Sequence, residues 1–170
     1  MTDYCYGGVD PGLSGAVAFF FPNRGALAIF DMPVAAGEVS ASALSLIVKP
    51  YRSETAMTYI ERVHSMPRQG VSSTFKFGVG YGEVLGVFAA LDFSISRIDP
   101  SVWKRAVGLP AGAPKELSVR RALEVFPHHA DLFTRPNLKK KGALVLLDGR
   151  AEAALLAWHC YTKNDVTKLL

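Results

Sequence analysis

The chain has 170 residues, 49% of them hydrophobic, with 19 Lys+Arg against 15 Asp+Glu for a formal net charge of +4. That length and apolar content suit one compact domain over 1–170 with a full core, while the mild basicity suits either a polyanion partner or an ordinary soluble surface. Cys5 and Cys160 stand at opposite ends, which excludes a disulfide framework and a paired-cysteine zinc site; with no long apolar span and no basic leader, the expectation is a soluble cytoplasmic protein without a membrane partner.

Residues 4–10 form an apolar run ending in Asp10-Pro11-Gly12, a turn signal, and Ala16 to Phe21 restarts a strand, so the two form a hairpin. Pro22-Asn23-Arg24-Gly25 marks the next turn, and Ala26 to Met32 supplies a third antiparallel strand. The apolar spacing over Val39 to Tyr51 predicts an amphipathic helix limited by Pro50. Ala56 to Ile60 reads as a buried strand that delivers Glu61 at its carboxyl end, where open α/β sheets carry their active sites. His64 to Lys76 is polar and turn-rich and is expected to be a loop.

Phe75 to Leu91 mixes Gly78, Gly80, Gly82 and Gly86 with bulky apolar residues, which suits a helix lying close to the sheet. Phe93 to Ile98 is a further central strand. Asp99-Pro100-Ser101 then leads into a short helix, Val102 to Val107, and Lys115 to Phe126 forms another that Pro127 stops. His128 to Gly142 is polar, and Arg150 to His159 reads as a terminal amphipathic helix. Three strands, helix, strand, helix, strand and helices imply an α/β fold with a mixed sheet, an antiparallel set joined to parallel central strands.

Four acids lie beside apolar segments, where a carboxylate is hard to keep charged without a partner: Asp10, Glu61, Asp148 and Glu152. Individually three of them have a plain alternative: Asp10 as a turn residue, Glu61 as a strand-end residue paired with Arg62 or Arg68, Asp148 as a helix cap. Asp148 and Glu152 share a face if the last helix begins at Asp148. Taken together, the four supply the convergent oxygens that two divalent ions about 4 Å apart require, with Mg²⁺ expected and Mn²⁺ able to substitute.

GGVDPGLSGAVA, YIERVHSMPRQG and DGRAEAALLAWH, in that order, resemble the first acidic strand, the second acidic strand with its substrate loop, and the acidic terminal helix of the RuvC-like Holliday-junction resolvases, particularly phage and prophage members. The resemblance spans roughly Tyr4 to His159 and implies a ribonuclease-H-like mixed five-stranded sheet flanked by helices. It implies a homodimeric crossover junction endodeoxyribonuclease that makes paired cuts in four-way DNA junctions, leaving 5′ phosphate and 3′ hydroxyl ends. Asp10, Glu61 and Glu152 match the family's metal-binding acids and Asp148 is offered for the remaining position, although many bacterial members space that last pair three rather than four apart. The resemblance also carries Lys104 and Lys115 onto basic positions near the cleft, with Lys115 placed to help offset charge on the phosphoryl oxygens.

Further DNA contacts are expected from Arg68 and Gln69 in the loop after Glu61 and from Lys139, Lys140 and Lys141, each with a plain alternative as a connection or a solvated face. Phe75 and Phe77 suit base stacking or packing, and the glycine-rich helix is the leading dimer-interface candidate. His64 is an auxiliary candidate beside the cleft. Alternatives are a ribonuclease-H-like nuclease for other branched DNA or RNA, a non-catalytic nucleic-acid scaffold, and a nucleotide-binding domain, the last opposed by the lack of a GxxxxGK[ST] loop.

Overall fold

A computed structural model of the chain describes residues 3–64 and 70–165. Strands β1 (Cys5–Asp10), β2 (Ala16–Phe21) and β3 (Ala26–Asp31) form an antiparallel meander, as the turn signals predict. A short hairpin of β4 (Val34–Ala35) and β5 (Glu38–Val39) follows, then helix α1 (Ala41–Val48), a 3-10 turn over Lys49–Tyr51, and strand β6 (Thr55–Glu61). Helix α2 (Val71–Ala90) leads to β7 (Ile95–Ile98), and helices α3 (Pro100–Ala106) and α4 (Lys115–Val125) come next. A second ribbon, β8 (Thr134–Pro136) with β9 (Leu144–Leu146), precedes the long terminal helix α5 (Asp148–Asn164).

The main sheet has the order β3-β2-β1-β6-β7, with β1, β6 and β7 parallel and β2 and β3 antiparallel. Its two faces separate by the period-2 alternation of strands. Cys5, Val9, Val17, Phe19, Phe21 and Ile60 pack toward α1 and α2. Tyr6, Ala16, Ala18 and Tyr59 pack toward α4 and α5. Because both faces are covered, β2 reads as a continuous apolar run rather than an alternating one.

The face toward α5 is made of small residues, and this sets how near the helix lies. A Cβ placed at Gly8 would fall 2.2 Å from the Ala153 carbonyl oxygen and 2.3 Å from the Ala157 nitrogen, so helix and strand backbones are in direct contact there. At the helix start, a Cβ on Gly149 would lie 2.2 Å from the Ser14 carbonyl oxygen, which docks the first turn onto the β1–β2 connection.

Several boundaries differ from expectation. Val39 belongs to β5 rather than to a helix: Ala36 and Gly37, both at positive φ, turn the chain there, and the Ser40 hydroxyl accepts from the Ala43 N–H to start α1 two residues later. Helix α2 starts at Val71, so Val71 to Lys76 is helical rather than loop; Gly70, in an extended conformation, occupies the N-cap position. The glycines of α2 do not bring it onto the sheet, since a Cβ at Gly78, Gly82 or Gly86 would meet nothing within 4 Å and only Gly80 faces a neighbour, Val39. Helix α5 is not amphipathic in the expected sense: Ala151, Ala153, Ala154, Leu155, Leu156, Ala157 and Cys160 are all buried, because the helix is enclosed between the sheet, α3 and α4.

Candidate active site

Strand register places the first two acids. Val9 of β1 pairs with Ile60 of the parallel β6, so Asp10 and Glu61 terminate neighbouring strands at the same sheet edge. Val9 and Ile60 point into the α2 side of the core, so by alternation the two carboxylates point to the α5 side. Glu152 arrives from the first turns of α5, held near by the Gly8 contact, and Asp148 is the first helical residue. Asp148 does not act as the cap, because Leu147 occupies that position without a side-chain cap bond.

Each acid has a named donor. The Gly12 N–H donates to Asp10 Oδ1 at 3.1 Å, and the indole Nε1–H of Trp103 donates to Glu61 Oε2 at 2.7 Å. Lys104 Nζ lies 3.0 Å from both oxygens of Glu152, whose Oε1 also accepts from Ser118 Oγ at 2.9 Å. Lys115 Nζ donates to Asp148 Oδ2 at 2.5 Å. That pair raises the Lys115 pKa and places its ammonium beside the acids despite its position at the start of α4, where the helix dipole disfavours a cation.

The electrostatics show that the acids feel one another. Burial pushes the Asp10 carboxyl up from its ordinary value; the Gly12 N–H and Lys104 oppose this, while the charges of Glu152 and Asp148 add to it. Burial pushes Glu61 up to about 7, against the Trp103 hydrogen bond and Lys104 and reinforced by Asp10 and Glu152. With all four acids ionised, Lys104 and Lys115 leave a net formal charge of −2.

Hard oxygen donors with residual negative charge are the chemistry that Mg²⁺ or Mn²⁺ takes, and in that respect the residues fit. Among the described residues, however, no group of three or more His, Cys, Asp or Glu side chains is arranged to hold a metal ion; the carboxylates are engaged instead by ammonium, indole and amide donors.

Other predicted residues are distributed around this centre. Arg68 and Gln69 lie outside the described residues. Lys139, Lys140 and Lys141 are exposed in the connection between β8 and β9, where the Asn137 side chain accepts from the backbone N–H groups of Lys139 and Lys140. Arg62 pairs with Asp99 rather than with Glu61, and His64 Nε2 lies 3.0 Å from Asp99 Oδ1. Phe75 is 72% exposed, whereas Phe77 is half-buried and lines a cavity of about 490 Å³ with Pro11, Leu13, Val39 and His64. Cys5 and Cys160 are buried thiols with raised pKa values, chiefly through desolvation, in keeping with a packing role.

Sequence reasoning does not single out Trp103 or Ser118. The available signal is the Trp103-Lys104 pair, whose helix follows the strand neighbouring β6; nothing in the sequence around Ser118 sets it apart from other helix serines.

No family model matches the sequence, and no curated protein matches it. Solved structures do match in fold. Thermus thermophilus RuvC in complex with a Holliday junction substrate superposes with a TM-score of 0.55 at 14% identity, covering 92% of this chain and 94% of that one. A further structure of Thermus thermophilus RuvC gives 0.55 at 16% identity, with 94% and 95% covered. The yeast mitochondrial Holliday junction resolvase gives 0.52 at 13% identity, with 96% and 83% covered. Among the described residues no helix is long and apolar enough to cross a membrane. A mixed five-stranded sheet flanked by helices, the chain has the ribonuclease-H-like fold of these resolvases.

Proposed function

We propose that the protein is a metal-dependent endonuclease that resolves four-way DNA junctions by paired phosphodiester cleavage, leaving 5′ phosphate and 3′ hydroxyl ends. The observation that supports this reading is that Asp10 and Glu61 end neighbouring strands of a resolvase-like fold, with Glu152 and Asp148 of α5 near enough for their charges to raise the Asp10 carboxyl. The kinship with phage and prophage members rests on the three motif sequences alone.

In this reading Asp10, Glu61, Glu152 and Asp148 would hold Mg²⁺, two ions per site, and the chemistry the metal would supply is activation of a water nucleophile at neutral pH and stabilisation of the leaving 3′ oxygen. The chain's own groups do the rest. Lys104, released from Glu152, holds a phosphate oxygen beside the cleft, and Lys115 offsets charge developing on the phosphoryl group. Burial of Asp10 and Glu61 keeps the surroundings poorly solvated, which strengthens each charged contact. The Lys139–Lys141 tract contacts the DNA backbone without reading bases. A homodimer presents two such sites to opposed strands, and the exposed side of α2, with Val71, Phe75, Val79 and the open glycines, is the surface suited to the second copy.

The test compares four-way junction, flap, linear duplex and RNA–DNA hybrid at one salt concentration with Mg²⁺. Wild type is expected to prefer the four-way junction, and Asp10→Asn to lose cleavage by about 1,000-fold or more while still binding it. Retention of wild-type cleavage by Asp10→Asn would overturn the site. The pairing of Glu152 with Lys104 and of Asp148 with Lys115 favours a second reading, a non-catalytic junction-binding scaffold; tight junction binding with no cleavage in either Mg²⁺ or Mn²⁺ would select it.

A further inference from the structure

Trp103 is fully buried in the cluster formed with α4 and α5, yet its one polar atom is directed out of that cluster to the acid that ends β6. At 2.7 Å, the Nε1–H to Glu61 Oε2 contact is a short hydrogen bond. It is the side-chain hydrogen bond that Glu61 receives among the described residues. The next residue, Lys104, reaches Glu152 on a different element. Consecutive helix side chains diverge by about 100°, so one short helix addresses an acid on the sheet and an acid on α5 at once.

We propose that Trp103 is a positioning residue for Glu61: its indole N–H fixes Oε2 and thereby leaves Oε1 as the oxygen presented to the cleft. This rests on the nuclease reading above. A glutamate has three side-chain torsions to restrain, and a ring locked in the core restrains the carboxylate more firmly than a mobile surface donor would. A purely packing tryptophan predicts that only ring volume matters; a positioning tryptophan predicts that the N–H matters at constant volume. Outer partners that orient metal-binding side chains are worth about 10- to 100-fold in affinity or activity.

The decisive variant therefore replaces Trp103 by 3-benzothienylalanine, which keeps the bicyclic ring and exchanges the N–H for sulfur, with Phe133→Leu as a packing control from the same cluster. Junction cleavage in Mg²⁺, affinity for uncleaved junction in Ca²⁺, thermal stability, and Mn²⁺ affinity by calorimetry without DNA are measured on each. The expected result is a fall of about 10- to 100-fold in kcat and a weaker Mn²⁺ isotherm, with junction affinity and melting temperature close to wild type. Wild-type kcat and Mn²⁺ affinity in the benzothienyl protein would overturn the assignment, and so would equal losses in Phe133→Leu. If wild type itself neither cleaves branched DNA nor binds Mn²⁺, the nuclease reading fails and takes this role of Trp103 with it; wild-type cleavage with an indifferent benzothienyl variant removes the role alone.

Discussion

Replacing Glu61 by Gln should stabilise the metal-free protein, and should do so only above acidic pH. Burial raises the Glu61 carboxyl from its ordinary 4.5 to about 7. The folded state therefore holds a proton between those values that the unfolded chain has released. For a raised carboxyl, that stabilisation is fully present below 4.5 and is lost as pH rises through about 7, because the unfolded state then ionises at no cost and the folded state does not. The full displacement corresponds to about 3 kcal/mol as an upper bound. Gln keeps the size and still accepts from the Trp103 indole, but carries no charge to desolvate. Thermal melts in chelator should then show wild type and Glu61→Gln nearly equal at pH 4 and the variant ahead at pH 8, by about 10 °C in Tm for a chain of this length. Equal stability at pH 8, or a gap already present at pH 4, would refute the argument that charge burial sets this carboxyl.

Two further outcomes follow from packing and from surface charge. Gly8→Ala drives a methyl group into the backbone of α5 at Ala153 and Ala157, and is expected to cost about 3 kcal/mol or more in urea unfolding and to abolish cleavage by displacing Glu152; wild-type stability in that variant would show that α5 can move outward freely. Changing Lys139, Lys140 and Lys141 together to Ala should leave thermal stability within about 0.5 kcal/mol. The same change should lower the magnitude of the salt slope of junction binding by up to about 0.9 for each phosphate that these lysines neutralise; an unchanged slope would assign the tract to solvent.

The main sheet was legible because its signals are local: Asp10-Pro11-Gly12 and Pro22-Asn23-Arg24-Gly25 punctuate three β-rich runs, and β2 occupies the predicted Ala16–Phe21. The pairing of β1 with β6 was less directly written, and the register that aligns Asp10 with Glu61 emerges only from the parallel ladder. Glycines were the least readable residues. Those in α2 look like a close-approach surface and are open, whereas Gly8, inside a strand, is the one that admits the terminal helix. Alanine and leucine around all sides of α5 blur a helical stripe, so its enclosure could be found only from its neighbours. Of the candidate site residues, carboxylates stood out as charges beside apolar runs; Trp103 did not, because an indole in a helix looks like core until the atom it donates to is located.

The Arg150 guanidinium gives the site a mechanical property. Its Nε and Nη2 donate to the two oxygens of Asp31, at 2.6 and 2.7 Å, on the opposite margin of the sheet from β7. At 3.6 residues per turn, Arg150 leaves α5 on roughly the far side from Asp148 and Glu152. The bidentate pair is thus an outrigger: rolling α5 about its own axis to withdraw the two acids requires breaking a contact on the other flank. With Gly8 and Gly149 seating the helix in depth against β1 and the β1–β2 connection, the Arg150–Asp31 pair fixes its roll, so the angle at which Asp148 and Glu152 face Asp10 and Glu61 is set from the opposite flank of the helix.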